Sequence, residues 1–159
     1  MNRRRCFFAG WLCALLILLA GCKDMTVGTN IPLQDIHEFT YTFSSSVNPP
    51  KYQHYRFYTE SNRYLFYHEA REGDHWPLTE DDITLSGTKE LTEAQWSAFL
   101  RCLEGGTAAR PEVSTETGDA GPWLYLYRAG DSGNALQFRF SSYGARTAFE
   151  DMCGTLSAQ

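Results

Sequence analysis

The feature that most constrains this chain is the stretch YQHYRFYTESNRYLFYHEA at residues 52–70. On both sides of Ser61 and Asn62, residues that favour burial alternate with residues that favour water, and this period of two is typical of half-buried strands. A two-residue connection at these positions would place Glu60 opposite Arg63 and so fix the pairing of every later residue. The stretch therefore predicts an antiparallel hairpin.

This pairing sorts the side chains of the hairpin into two chemically different sets. A slip by one residue would mix the sets, so the pattern itself selects the register. A face with opposite charges and a face with clustered aromatic residues are what a hairpin with one buried side needs. On the first face Tyr58 is expected opposite Leu65, Arg56 opposite Tyr67 and His54 opposite Glu69; on the second, Tyr55 opposite His68, Phe57 opposite Phe66 and Thr59 opposite Tyr64.

Other elements are predicted from residues that typically begin or end strands and helices. Strands are predicted at 37–43 and 83–91, and the latter leads into a helix. Thr92 is placed to cap this helix and Gln95, three residues later, completes a capping box. Gly105 provides the left-handed residue that ends it. The apolar face of the helix comprises Trp96, Phe99, Leu100 and Leu103.

The C-terminal third predicts a second hairpin and a second helix. Residues 106–122 are almost free of apolar side chains and are expected to form a loop. The segments WLYLYR and ALQFRF then form a hairpin, and Ser142 caps a short helix that ends near Gly154. The expected fold class is α+β, mainly an antiparallel sheet built from two hairpins with two helices packed on one face.

The N-terminus has the layout of a secretory signal. Arg3, Arg4 and Arg5 precede an uncharged, leucine-rich run at 6–20. That run is shorter than the roughly 20 residues that a membrane-spanning helix requires. It matches the 7–15 residue apolar region of a signal peptide, which ends in small residues.

Leu19-Ala20-Gly21-Cys22 resembles the lipobox of bacterial lipoprotein precursors. The resemblance implies cleavage before Cys22, a diacylglyceryl thioether on its sulfur and a fatty acyl group such as palmitate on its new amino group. Two or more acyl chains hold a protein firmly at a membrane. The alternatives are an uncleaved membrane helix and an ordinary signal with an incidental cysteine.

The lipobox divides the chain into a signal peptide at 1–21, the lipidated cysteine with a tether at 22–36, and a single domain at 37–159. The expected location is outside the cytoplasm, lipid-anchored to the cell membrane. Lys23 after the lipidated residue would suit sorting to the outer membrane if the host has two membranes.

The mature chain is acidic. Without the three arginines of the signal it holds 11 basic and 19 acidic residues, a formal charge of −8. This balance argues against nucleic acid as a partner and against electrostatic attachment to anionic lipid. Cys102 and Cys153 form an even pair in an exported chain, so a disulfide between them is one interpretation, and two reduced, buried thiols are the other.

Three short motif matches do not predict catalysis. GDSG at 130–133 suits a turn, because the residues that would complete a trypsin-like protease around Ser132 are missing. SGTK at 86–89 lacks the partner motifs of penicillin-binding enzymes. HEAREGDH at 68–75 lacks the second histidine at the helical spacing that zinc requires. No catalytic residue, metal ligand or cofactor is therefore predicted.

Three classes of function remain open. The first is a binding or accessory module at the cell surface, with a protein, peptide or glycan as its partner and a contact surface of Arg56, Tyr58, Tyr67, Tyr125 and Tyr127, since Tyr and Arg are enriched where binding energy concentrates. The second is a cell-envelope hydrolase of unfamiliar type, in which histidines would meet acidic residues in a cleft. The third is a structural or inhibitory surface protein.

Overall fold

The computed structural model describes residues 24–111, 121–130 and 134–158. The signal peptide and Cys22 lie outside these ranges. In chain order the elements are β1 (Met25–Thr26), a 3-10 turn (Leu33–Asp35), β2 (Ile36–Ser45), β3 (Lys51–Glu60), β4 (Arg63–Glu72), a second 3-10 turn (Glu80–Asp82), β5 (Ile83–Leu91), α1 (Glu93–Leu103), β6 (Thr107–Ala109), β7 (Trp123–Arg128), β8 (Leu136–Arg139) and α2 (Tyr143–Ser157).

The strands form one eight-stranded sheet in the order β1-β6-β8-β7-β2-β3-β4-β5. All paired strands run antiparallel. The prediction of a mainly antiparallel sheet with two helices is thus confirmed. The sheet is larger than two hairpins, because β2 joins the hairpins, β1 and β6 extend the sheet beyond β8, and β5 extends it beyond β4.

The hairpin of β3 and β4 has the register that the sequence predicts. Glu60 is paired with Arg63, Phe57 with Phe66 and His54 with Glu69. Ser61 and Asn62 have φ angles of 50° and 60°. Two consecutive positive values are those of the type I′ turn, whose twist matches that of the flanking strands.

The start of α1 follows its local sequence, whereas the end of α2 does not. The side chain of Thr92 accepts a hydrogen bond from the backbone of Gln95, and the Gln95 side chain bonds back to the Thr92 backbone. Ser142 caps α2 through the backbone of Ala145. The expected end near Gly154 is wrong, since α2 continues to Ser157. A glycine inside a helix costs only about 1 kcal/mol, and the continuation buries Leu156.

The tether predicted at 22–36 is instead part of the fold from Met25 onward. Val27 is 1% exposed and Ile31 is fully buried. β1 pairs with β6, which itself lies inside the segment 106–122 that was expected to be a loop. Strands of two or three residues are too short to show a period of two, so the sequence pattern missed them. Residues 112–120 of the expected loop lie outside the described ranges.

Aromatic side chains fill the core on one side of the sheet, here called the inner face. Phe39 of β2 and Phe57 of β3 are neighbours on this face and are fully buried. The ring of Phe99 in α1 stacks on that of Phe57 with 4.2 Å between the ring centroids. The ring centroid of Phe149 in α2 lies 5.4 Å from that of Phe39. The opposite side of the sheet, here called the outer face, carries the alternate residues of the same strands.

Candidate functional site

The outer face brings together the five residues that the sequence predicts as a contact surface. One row of paired residues crosses four strands. In order from β4 to β7 it comprises Tyr67, Arg56, Thr40 and Tyr125. The adjacent row joins Tyr58 and Tyr127 through Glu38 on β2. All five are half-buried. We call Arg56, Tyr58, Tyr67, Tyr125 and Tyr127 the outer platform.

Arg56 is held rigidly at the centre of the outer platform. Its Nε and Nη2 atoms donate to the two carboxylate oxygens of Glu38 at 3.0 and 2.8 Å. The hydrogen bond to Glu38 raises the pKa of Arg56 above its usual value. The guanidinium also lies 4.1 Å from the ring centroid of Tyr58. A two-pronged pair of this kind fixes orientation as well as charge, so Arg56 offers a flat, neutralised surface.

A second ion pair orders the neighbouring tyrosine. The Tyr67 hydroxyl donates to Glu69 at 2.6 Å, and Arg71 donates to the other carboxylate oxygen at 2.7 Å. Burial alone would raise the pKa of Glu69, but these two hydrogen bonds lower it overall. The carboxylate therefore stays ionised although its residue is only 9% exposed, and it positions the Tyr67 ring.

Further aromatic side chains extend the outer platform along the same strands. Tyr52 lies under the Arg71 guanidinium at 5.1 Å, and the His54 ring lies 5.8 Å from Tyr67. Trp123 is paired with Thr42 in the row next to Tyr125. Trp123 and Glu38 are not among the residues that the sequence predicts for this surface. Alternation along β2 places Glu38 on the same face as Thr40, but it does not place Glu38 beside Tyr58, because strand order has no local signature.

Two of the histidines that the hydrolase interpretation could use, His54 and His68, do not share a face of the sheet. His54 belongs to the outer face and His68 to the inner face, because they occupy positions of opposite parity in paired strands. Ser86 of the SGTK match has its hydroxyl 3.3 Å from that of Tyr67. Ser132 lies outside the described residues. Within the described ranges, no three His, Cys, Asp or Glu side chains are grouped so as to hold a metal ion.

Cys102 and Cys153 are free thiols on the two helices. Cys153 of α2 is fully buried, whereas Cys102 of α1 is partly exposed. Burial raises the pKa of both thiols, most strongly for Cys153, where the nearby Cys102 adds to the effect. Both groups are therefore protonated near neutral pH.

The helices and the comparisons add no further assignment. Within 24–111, 121–130 and 134–158, neither helix is long and apolar enough to cross a membrane. Comparison of the chain with protein-family models, curated proteins and solved structures gives no match.

Proposed function

We propose that this protein is a lipid-anchored extracytoplasmic binding module whose outer platform docks a protein, peptide or glycan. In this proposal two hairpins form the body of the sheet, and both helices pack on the inner face. The observation that carries the proposal is the gathering of Arg56, Tyr58, Tyr67, Tyr125 and Tyr127 into adjacent rows of the outer face.

The outer platform is suited to binding because it is ordered before a partner arrives. Glu38 and Glu69 fix Arg56 and Tyr67 by short hydrogen bonds. Side chains that are already immobilised lose less conformational entropy on binding, and this saving appears directly as affinity. Tyrosine and arginine provide large contact areas with polar edges.

The charges on this part of the surface are matched. Arg56 is paired with Glu38, Arg71 with Glu69, and Arg63 lies 3.8 to 3.9 Å from Glu60 and Glu90. Attraction between opposite net charges therefore contributes little to recognition here, and we expect binding that changes less than threefold between low and physiological salt. This favours recognition through shape, aromatic contact and hydrogen bonding.

The anchor and the fold together support a position close to the membrane. The resemblance of residues 19–22 to a lipobox motivates acylation of Cys22. β1 begins at Met25, so at most about 10 Å of extended chain separates the two residues. The domain would therefore sit directly on the lipid headgroups.

The anchor is tested by the intact mass of the protein from a membrane fraction. The expected mass is that of residues 22–159 plus diacylglyceryl and acyl groups, and Cys22→Ala is expected to remain unprocessed. An unmodified wild-type mass would exclude the anchor.

The outer platform is tested by binding of the processed protein to isolated cell-wall glycan and by photo-crosslinking to envelope proteins. The double variant Tyr58→Ala, Tyr125→Ala is expected to lose at least tenfold in the yield of the bound partner. Tyr143→Ala is the matched control, because it removes a tyrosine that is 83% exposed at the start of α2. Equal binding by the double variant and the wild type would refute the assignment.

A further inference from the structure

A second feature of the fold, separate from the outer platform, is the free edge of the sheet at β5. β5 is nine residues long and is the last strand in the sheet order. The edge of β5 that points away from β4 pairs with no other strand in the part of the chain that the structure describes. Natural proteins usually shorten, charge or cover such edges, because unpaired backbone N–H and C=O groups recruit another strand.

A cavity of about 330 Å³ opens beside this edge on the inner face. Its walls include Phe66 from β4, Leu85 from β5 and Leu156 from the end of α2. The volume is at the lower end of the range for ligand pockets and is more than one aromatic ring requires. We call it the edge cavity.

The edge cavity exists because a glycine occupies a position where a side chain would fill it. Gly87 is the partner of His68 in the pairing of β4 with β5. A Cβ added to Gly87 would meet no atom within 4 Å. A glycine inside a strand weakens it and often marks a place where a ligand or another backbone approaches closely.

His68 lines the edge cavity, and its two ring nitrogens lie unsatisfied beneath the surface of the cavity wall. It is 7% exposed, and neither ring nitrogen has a hydrogen-bond partner among the described residues. Its ring lies 4.7 Å from that of Tyr55. A buried imidazole without hydrogen-bond partners destabilises the folded state, so its presence calls for an explanation. Burial lowers the pKa of His68, so its neutral ring offers one donor and one acceptor.

We propose that β5 takes up an extended peptide of a partner protein as a ninth strand, and that a hydroxyl-bearing aromatic side chain of this peptide, tyrosine, enters the edge cavity beside His68. The backbone of the peptide satisfies the free edge, in the mode known as strand addition. The tyrosine ring packs between Phe66 and Leu156. Its hydroxyl, both donor and acceptor, supplies a partner for the imidazole when the His68 ring turns toward the cavity and exposes a nitrogen.

The position of the edge agrees with a partner outside the membrane. Seven strand spacings of about 4.8 Å separate β1 from β5, roughly 34 Å along the sheet. β1 follows Cys22 by three residues, so an anchored protein would present β5 away from the bilayer. The peptide site itself does not depend on the anchor or on the outer platform.

The test uses the full chain in detergent and a seven-residue peptide of alternating threonine and valine with a central tyrosine. We expect binding by fluorescence anisotropy, at least tenfold weaker when the central tyrosine is alanine. Gly87→Val places a side chain in the edge cavity, where an added Cβ meets no atom within 4 Å, and is expected to weaken binding at least tenfold. Ser86→Val adds the same side chain on the outer face of β5 and is the matched control. Undetectable binding by the wild type, or equal binding by the wild type and Gly87→Val, would overturn the proposal.

Four further measurements separate this site from its alternatives. One peptide is N-methylated at its odd-numbered residues and a second at its even-numbered residues. Their affinities should differ at least tenfold, because only one of the two sets of N–H groups pairs with β5; equal binding would overturn strand addition. His68→Phe should abolish a threefold or greater preference for tyrosine over phenylalanine in the peptide, and a retained preference would overturn the role of His68.

Tyr58→Ala should leave peptide binding unchanged; if it weakened binding, the peptide would occupy the outer platform. Self-association through β5, detected by sedimentation and not reversed by the peptide, would identify a second copy as the occupant and overturn the proposal.

Discussion

Replacing Phe57 by alanine tests both the register of the hairpin and the packing of the helices. Phe57 is fully buried and contacts Phe66 at 4.8 Å, Phe99 at 4.2 Å and Phe149 at 5.7 Å. The planes of Phe57 and Phe99 are within 2° of parallel. Truncation of such a side chain costs about 3–5 kcal/mol through lost transfer energy and the cavity left behind. The free energy of unfolding of a domain of this size is about 5–15 kcal/mol in total. We therefore expect the midpoint of thermal unfolding to fall by about 10–20 °C.

Tyr58→Ala is the matched control, because Tyr58 is the next residue of the same strand and lies on the outer face. Its ring is half-buried and stacks under Arg56. We expect a loss of about 1 kcal/mol, mostly from the cation–π contact and the partial burial of the ring. Urea denaturation followed by circular dichroism gives both free energies of unfolding, and unchanged m-values show that the comparison is valid.

A double-mutant cycle strengthens this test. Phe57→Ala combined with Phe99→Ala should cost less than the sum of the single variants by about 0.5–1.5 kcal/mol, because both remove the same stacked pair. The reasoning is refuted if Phe57→Ala and Tyr58→Ala destabilise equally, since the inner and outer faces would then have been misassigned. Additive single variants would show that α1 does not pack on β3 as described.

Three other predictions concern the turn, alkaline stability and the thiols. Asn62 has φ of 60°, so Asn62→Val should cost about 1–2 kcal/mol in urea denaturation while Asn62→Gly costs nothing or stabilises; equal effects would contradict the type I′ turn. Burial raises the pKa of Tyr55 to about 12, so the unfolded state ionises first and stability present below pH 10 is lost as pH rises from 10 to 12. Tyr55→Phe should lessen that fall by about 1.4 kcal/mol per pH unit, and identical slopes in pH-dependent denaturation would rule the effect out. Native Cys153 should not react with a thiol reagent, whereas both Cys102 and Cys153 react after denaturation; a mass 2 Da lower with no titratable thiol would show instead the bridge that the sequence allows.

The hairpin and the start of α1 could be predicted from the sequence because their determinants are local. The turn at Ser61 and Asn62 joins adjacent segments, so the alternation on either side specifies one register. The cap at Thr92 involves a residue only three positions away. The choice of Arg56, Tyr58 and Tyr67 as neighbours follows from the same register.

The segments at 25–36 and 107–109 could not be predicted in this way. The strands in them are only two and three residues long, too short to show a period, and their pairing joins Met25 to Ala108 across most of the domain. Burial of Val27 depends on that distant partner. The local sequence therefore predicts a tether and a loop at these positions.

By itself the sequence determined which residues of each strand share a face, because side chains alternate along a strand whatever its neighbours are. Only the tertiary structure decided what each face meets. The placement of β2 beside β3 gave Arg56 the carboxylate of Glu38, and the placement of β5 at the edge left Gly87 open beside His68. These contacts depend on the order of strands in the sheet, which is set by packing between residues far apart in the chain and has no local signature.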